Sequence, residues 1–462
     1  MSGLGEFEAF VRSERERLEV PGAVVGLRRS GVDTIVPAGI TNAEHPLPVD
    51  DTTLFQVASI TKTFTTTLLM TLVQAGRLSL DDRVADHLRD VDLGDPGRTA
   101  SLRVHHLLTH AAGWDGDALF ANPGGVTLAG VAARVGTLDR RFEPGENWSY
   151  NNAAFSLVGQ LIEKITEQSY VDALRSRVLT PSGLSQAYTS ADEVVTRRVA
   201  APHVVIDGNP IVLRGAGWQQ GWELGDFDVP AGGLITTAPD LLRWGAIALG
   251  EVPGPLDDDH RLAMQARRRT AGGNTDAMGL GWLHADLGGV PTFGHDGMTL
   301  GYLSSLVIAP EARVVVVSLT NALGGTAFNQ SVRDYVLREF AGAGPILPEI
   351  VATPIDAAPL IGRYDDPFYV LEISASGDPN RLLLAQVRRP PEPGRWTPAP
   401  LGGSSPIAPI AGDRWLVLEP EGARGGIIDV GRDATGAVRW IRRGSRICPR
   451  MEDTSVASPA PA

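Results

Sequence analysis

Strand-like segments bracket this chain and leave its middle without them. Ala23 to Leu27 and Thr34 to Val36 are rich in β-branched residues. They flank Arg29-Ser30-Gly31-Val32-Asp33, which reads as a hairpin turn. Strands return only at Thr292-Phe293, Tyr302 to Ile308 and Arg313 to Leu319, where Val314 to Val317 is apolar enough for a buried central strand. An isolated hairpin is marginal in water, so early and late segments are expected to pair in one sheet. The residues between them pattern mostly as helices. The expected fold is α/β: an antiparallel sheet flanked by helices, with an inserted all-helical subdomain.

The flanking helices can be placed. Leu4, Phe7, Phe10, Val11 and Leu18 recur at helical spacing over residues 3–17, and Pro21-Gly22 ends that run. A longer helix is expected from about Ser59, with Gly76 as its C-cap, and another from Asn329 to Phe340. Residues 344–360 are rich in Pro and Ala, which suits a linker. Short strands then follow at Tyr369 to Ser374, Arg381 to Val387 and Arg414 to Leu418. A hairpin joins Ile427 to Val430 with Ala437 to Ile441. They predict a small C-terminal all-β barrel. The expected organisation is a large α/β domain over 1–343, the linker, a β domain over 361–451 and a disordered tail over 452–462. At 462 residues the chain exceeds what one core ordinarily holds.

Composition removes several functions. The formal net charge of −13 repels phosphate backbones, so nucleic acid is not an expected partner. Cys448 is the single cysteine, which rules out an internal disulfide. No apolar run spans a bilayer, and the acidic N-terminus does not read as a secretory leader; a cytoplasmic protein without membrane association is expected.

Lysine is scarce: Lys62 and Lys164 are the two in the chain, against many arginines. Lys62 falls in Ser59-Ile60-Thr61-Lys62, where helical spacing puts hydroxyl and amine on one face. A serine at a helix start also feels the positive end of the helix dipole. Alone, the motif equally describes a solvated helix start. Tyr150-Asn151-Asn152 follows a Pro-Gly loop and precedes a helix from about Ala153 to Glu167. A tyrosinate-like oxygen beside cations would serve as a general base, and Asn152 would bond Lys62 and a substrate amide. The alternative is a helix N-cap beside a packed tyrosine. His295-Asp296-Gly297 lies between strand-like stretches. Gly297 would permit close approach of substrate to the backbone, and the Met298 N–H would complete an oxyanion hole with that of Ser59. The alternative is a strand-edge turn.

The order and spacing of these motifs resemble the serine β-lactamase and penicillin-binding protein superfamily, and within it the class C β-lactamase branch. That branch includes family VIII carboxylesterases and D-aminopeptidases. Val20-Pro21-Gly22-Ala23, Leu107-Leu108-Thr109-His110-Ala111-Ala112-Gly113, Ala231-Gly232-Gly233-Leu234, Asp240 to Trp244 and Gly279 to Trp282 extend the resemblance over roughly residues 5–340. It implies Ser59 as acylated nucleophile, Lys62 and Tyr150 as its proton shuttle, Asn152 in support, and a cofactor-free reaction. His295 occupies the place of the family's Lys-Thr-Gly lysine. A histidine there is usually neutral at pH 7, which weakens carboxylate recognition and points to ester or amide hydrolysis of small or D-amino-acid substrates.

Other features leave alternatives open. His105, His106 and His110 have metal-like spacing but no completing carboxylate nearby, and no metal is expected. The run Arg442, Arg443, Arg446 and Arg450 is ordinarily a solvated face. It is otherwise a set from which the β domain lends the cleft an arginine, Arg446, to grip a carboxylate. That layout resembles penicillin-binding-protein-type thioesterases, which join this catalytic domain to a lipocalin-like domain and cyclise or release nonribosomal peptides. Such an activity would take a thioester-activated or carrier-protein-bound peptide, and Trp222-Glu223 would meet its amine nucleophile. A third possibility is a catalytically silent binding protein of the same fold, against which the intact Ser59, Lys62 and Tyr150 speak.

Overall fold

Ser30 and Gly31 both have positive φ, 52° and 79°, the backbone of a type I′ hairpin turn. The turn is therefore two residues, and the strands it joins are longer than expected: β1 (Gly22–Arg29) and β2 (Val32–Gly39). The structure, a computed structural model, describes residues 3–117, 125–214, 224–351, 357–389, 403–418 and 424–452.

The early hairpin does join the late strands. Ahead of it lies α1 (Leu4–Arg17); after it come α2 (Thr61–Gln74), α3 (Asn152–Thr166) and α4 (Ala238–Ala248). The chain then forms β3 (Arg269–Gly272), β4 (Thr275–Met278), β5 (Leu283–Leu287), β6 (Val290–Thr299), β7 (Tyr302–Ala309) and β8 (Val314–Thr320), followed by α5 (Gly325–Ala341). These strands make one antiparallel sheet in the order β2-β1-β8-β7-β6-β5-β4-β3. β1 runs against β8 with Ala23 opposite Thr320 and Arg29 opposite Val314.

Alternation along the strands builds a core on each face. Val25, Val314 and Val316 pack with Phe7, Val11, Phe328 and Val332 of α1 and α5. Val24, Val315 and Val317 pack with Leu241 and Leu242 of α4 and with the inserted helices. α2 runs through that second core with Thr61 to Met70 all buried. Its threonines fit there because their hydroxyls bond back along the helix, Thr63 Oγ to the Ile60 carbonyl and Thr67 Oγ to that of Thr63, each at 2.8 Å.

The C-terminal strands are more numerous than expected. β9 (Gly362–Asp365), β10 (Tyr369–Ala375), β11 (Leu382–Arg388), β12 (Ser404–Ile410), β13 (Arg414–Leu418), β14 (Arg424–Arg432), β15 (Val438–Arg443) and β16 (Arg446–Pro449) pair in sequence. A bridge from Tyr364 to Arg450 joins the two edges, so the eight-stranded sheet is a nearly closed barrel. Leu371, Ile373, Ile407, Trp415, Ile428 and Ile441 fill it. The stretch read as a linker, 344–360, is held at its start and near its middle: Gly344 N–H donates to the Gly288 carbonyl and Val351 N–H to that of Pro409. Of the 452–462 tail expected to be disordered, residues 453–462 lie outside the described residues. No described helix is long and apolar enough to cross a membrane.

Candidate active site

Ser59 sits in a 3₁₀ turn, Ala58–Ile60, that leads directly into α2. Ala58 takes a left-handed φ of 48°, a strained conformation held by its surroundings. β6 crosses this turn so closely that a Cβ on Gly297 would lie 2.3 Å from the Val57 carbonyl and 3.0 Å from Ala58 Cβ. Gly297 is therefore required for the sheet to dock against the turn carrying Ser59. Ser304 Oγ, across from Gly297 on β7, also donates to the Val57 carbonyl at 2.8 Å.

Lys62 is fully buried one helical turn on. Its Nζ is 3.0 Å from Ser59 Oγ and donates to the Ala231 carbonyl at 2.6 Å. Burial drives its pKa well below the usual lysine value, although Asp117 and Asp228 pull the other way. A neutral amine in contact with a hydroxyl can accept its proton. Burial also lifts Asp228 to about 8, against the pull of Lys62.

Tyr150 faces the same point. Burial raises its pKa, and proximity to Ser59 only partly counters that. The tyrosinate expected from the sequence is thus disfavoured, and the phenol stays neutral. Its hydroxyl makes no hydrogen bond of regular geometry among the described residues. The ring lies 5.0 Å from Lys62 Nζ and stacks on His110 at 4.3 Å. His110 holds the neighbouring backbone too: its carbonyl accepts from Ser149 N–H at 3.0 Å and its Nδ1 from Asn151 N–H at 2.9 Å.

Asn152 departs from expectation. It lines the cleft, but its amide donates to Asp117 Oδ1 at 2.6 Å instead of reaching Lys62, whose second partner is the Ala231 carbonyl. The helix cap is Asn151, whose Oδ1 accepts from Ala154 N–H at 2.8 Å. His295 is also neutral, its pKa lowered to about 3 by burial and then by Lys62. Its Nδ1 bonds the Asp296 carbonyl at 2.6 Å. A carbonyl only accepts, so Nδ1 carries the proton and Nε2 presents a lone pair. Nε2 has no partner among the described residues. This is the opposite of a carboxylate-binding cation.

The basic C-terminal cluster is divided: Arg450 is exposed, whereas Arg442 and Arg446 turn toward the catalytic body. Arg442 is buried, donating to the Trp148 carbonyl, Asn147 and Asp429. The β15–β16 hairpin inserts its tip into the cleft wall, where the Ser445 carbonyl accepts Tyr150 N–H at 2.8 Å. Arg446 stands 5.0 Å from the Tyr150 ring and pairs with Asp117. Burial opposes its charge, but Asp117 more than offsets this and holds the guanidinium protonated. Arg446 thus lies at the cleft, the alternative to a solvated face, and is already engaged by a carboxylate of this chain. Asp117, Asp228, the Ala231 carbonyl and Ser445 were not singled out from sequence. No spacing marks them, since each matters through a partner distant in the chain.

Ser59, Tyr150, Asn152, His295, Gly297, Met298 and Arg446 line one cleft of about 380 Å³. Ser59, in the turn before α2, and Met298, on β6, both line it. Trp222 and Glu223 lie outside the described residues. His106 and His110 are used in local hydrogen bonds, and no metal-holding group of three or more His, Cys, Asp or Glu side chains occurs among the described residues.

The β-lactamase family model matches residues 7–339. Penicillin-binding protein 4 of Amycolatopsis lactamdurans is 32% identical over 372 residues, covering 76% of this chain and 94% of that protein. Among solved structures, SurE aligns with a TM-score of 0.73 at 22% identity over 97% of this chain and 98% of its own. The D-amino acid amidase of Ochrobactrum anthropi SV3, solved with D-phenylalanine, aligns with a TM-score of 0.62 at 22% identity over 74% of this chain and 99% of its own. The convergence of a serine, a buried lysine and a tyrosine on this scaffold, together with these matches, places the chain in the β-lactamase and penicillin-binding-protein superfamily of serine hydrolases.

Proposed function

We propose that the protein transfers acyl groups through a covalent intermediate on Ser59 and hydrolyses a small ester, amide or D-amino-acid derivative. The observation that carries this reading is the 3.0 Å contact between Ser59 Oγ and a desolvated Lys62 amine. Ser59 Oγ attacks the acyl carbon while its proton passes to Lys62 Nζ. The neutral Tyr150 phenol gives its proton to the departing heteroatom and regains one from Lys62. The Ser59 and Met298 N–H groups hold the oxyanion. Water then repeats the sequence in reverse and releases the acid. No cofactor enters.

His295 narrows the substrate. A neutral ring offering a lone pair favours a donor N–H and gives no charge to a carboxylate, so neutral esters, amides and thioesters fit better than anionic β-lactams. Two structural neighbours, SurE and the D-amino acid amidase, were solved with D-Leu and with D-phenylalanine or L-phenylalanine amide respectively, which supports an aminoacyl donor.

A second reading takes an amine as acceptor and makes the protein a peptide-cyclising or peptide-releasing thioesterase. Its support is the hairpin that brings Ser445 and Arg446 from the C-terminal barrel to the cleft. The test uses D- and L-leucine p-nitrophenyl esters and their thioesters, with and without an added amine. Ser59-dependent turnover favouring the D donor is expected, and the acid-to-amide product ratio decides between the readings. Equal turnover by Ser59→Ala would end both.

A further inference from the structure

The cleft does not stop at Ser59. β5 pairs with β6 only as far as Gly294, so β6 has an open edge from His295 onward. His295 and Gly297 line the cleft on the helical face of the sheet, and Asp296, Ser305 and Asn329 line it on the α5 face. The cavity therefore passes around the open end of β6. There it meets a second chamber of about 480 Å³ between α5, the β3–β5 hairpins and β13–β14 of the barrel. Asn274, Ala285, Leu287, Gln330 and Arg333 line both spaces and form the throat.

The chamber is bounded by both sheets. Its seam is fastened where Ile427 N–H donates to Asn274 Oδ1 at 3.0 Å and Gly273 N–H to Asp429 Oδ2 at 2.6 Å. Its walls carry Arg333, Arg414, Asp276 and Asp286 beside Leu347 and Leu416. Charges of both signs interleaved with apolar side chains suit a peptide backbone with mixed side chains better than a hydrocarbon chain. A single aminoacyl group would fill only part of the first cleft, and the second more than doubles the space.

We propose that the second chamber is a binding site for the upstream part of a peptidyl acyl donor, whose chain leaves Ser59, rounds the open end of β6 and enters between α5 and the barrel. This rests on acyl transfer at Ser59 but not on the acceptor, because a donor chain is present whether water or an amine resolves the intermediate. The test measures acylation by the p-nitrophenyl ester of D-leucine and of its N-terminal extensions by about one to five alanines. The gain in kcat/KM with length should be about tenfold or more and then level off. Leu347→Trp, at a position that lines the second chamber and not the first cleft, should erase that gain and leave the D-leucine ester unchanged. In the unaltered protein, hydrogen exchange over residues 283–289 and 330–333 should slow only with the long donors, a readout that does not depend on the variant folding.

A flat length profile alongside Ser59-dependent turnover of the short ester would overturn the second site and leave the proposed activity standing. So would equal slowing of short and long donors by a folded Leu347→Trp. Absence of acylation by every donor would remove the proposed activity, and this site with it.

Discussion

The floor and the wall of the cleft are built by opposite means. The floor is the turn carrying Ser59 and the helix α2 that follows it, where Lys62 sits among Phe64, Leu68 and threonines whose hydroxyls bond back along the chain. Burial pushes the pKa of its one charge-capable group, Lys62, well below the usual lysine value. The wall is the β15–β16 hairpin, fixed by polar contacts: Ser445 to Tyr150, Arg446 to Asp117, Arg442 to Trp148 and Asn147. Further back, Arg141 links Asp115 of the catalytic body at 2.6 Å to Asp365 of the barrel at 2.9 Å. Reactivity at the floor depends on excluding charge, and placement of the wall depends on pairing it. The two should fail differently.

Lys62→Met should give the largest effect. It removes the base and keeps the volume, so acylation should slow by about three to four orders of magnitude while the fold holds. In the unaltered protein the rate should be sustained at neutral pH and fall about tenfold per unit once pH drops below the depressed lysine value, since only the unprotonated amine accepts. Stopped-flow acylation measures both. A wall variant as damaging as Lys62→Met would erase the distinction.

Asp117→Ala is the corresponding break in the wall. It leaves Arg446 half-enclosed without its carboxylate and should cost about 3–5 kcal/mol in urea unfolding. Arg446→Met is milder, because Asp117 keeps the Asn152 amide as a donor; about 1–3 kcal/mol is expected, with a smaller loss in kcat than Lys62→Met.

Acid should also separate the regions. All nine histidines precede residue 300, so none belongs to the barrel. Burial lowers His106 and His284 to about 4 and His295 to about 3. Below the unfolded value of about 6.5 the unfolded chain takes up protons that the native state refuses. Stability is thus full above that value and declines as pH falls toward about 4, by up to ~1.4 kcal/mol per unit for each histidine. Hydrogen exchange at pH 5 should show loosening in the catalytic body before the barrel. The reverse order would contradict this assignment.

What was legible in the sequence follows the same divide. The hairpin, β7, β8 and the Ser59-Lys62 pair all show in local patterning, because strand alternation and helical spacing are properties of neighbours. β12 was missed because Pro406 and Pro409 argue against a strand, yet Ile407 and Ala408 are fully buried between β11 and β13. β9 and β16 are four residues each and matter because they close the barrel. Asn152 was assigned to Lys62 because spacing cannot say which neighbour receives an amide. Arg446 was placed at the cleft, but its partner Asp117 lies 329 residues away, and nothing local announces that pair.

The most direct measurement is the intact mass of the protein after brief mixing with D-leucine p-nitrophenyl ester, followed by peptide mapping. One D-leucyl group per chain on the peptide containing Ser59, absent from Ser59→Ala and scarcely formed by Lys62→Met, is the expected result. An adduct of the same mass in Ser59→Ala, or full-rate turnover by that variant, would show that the reacting group lies elsewhere.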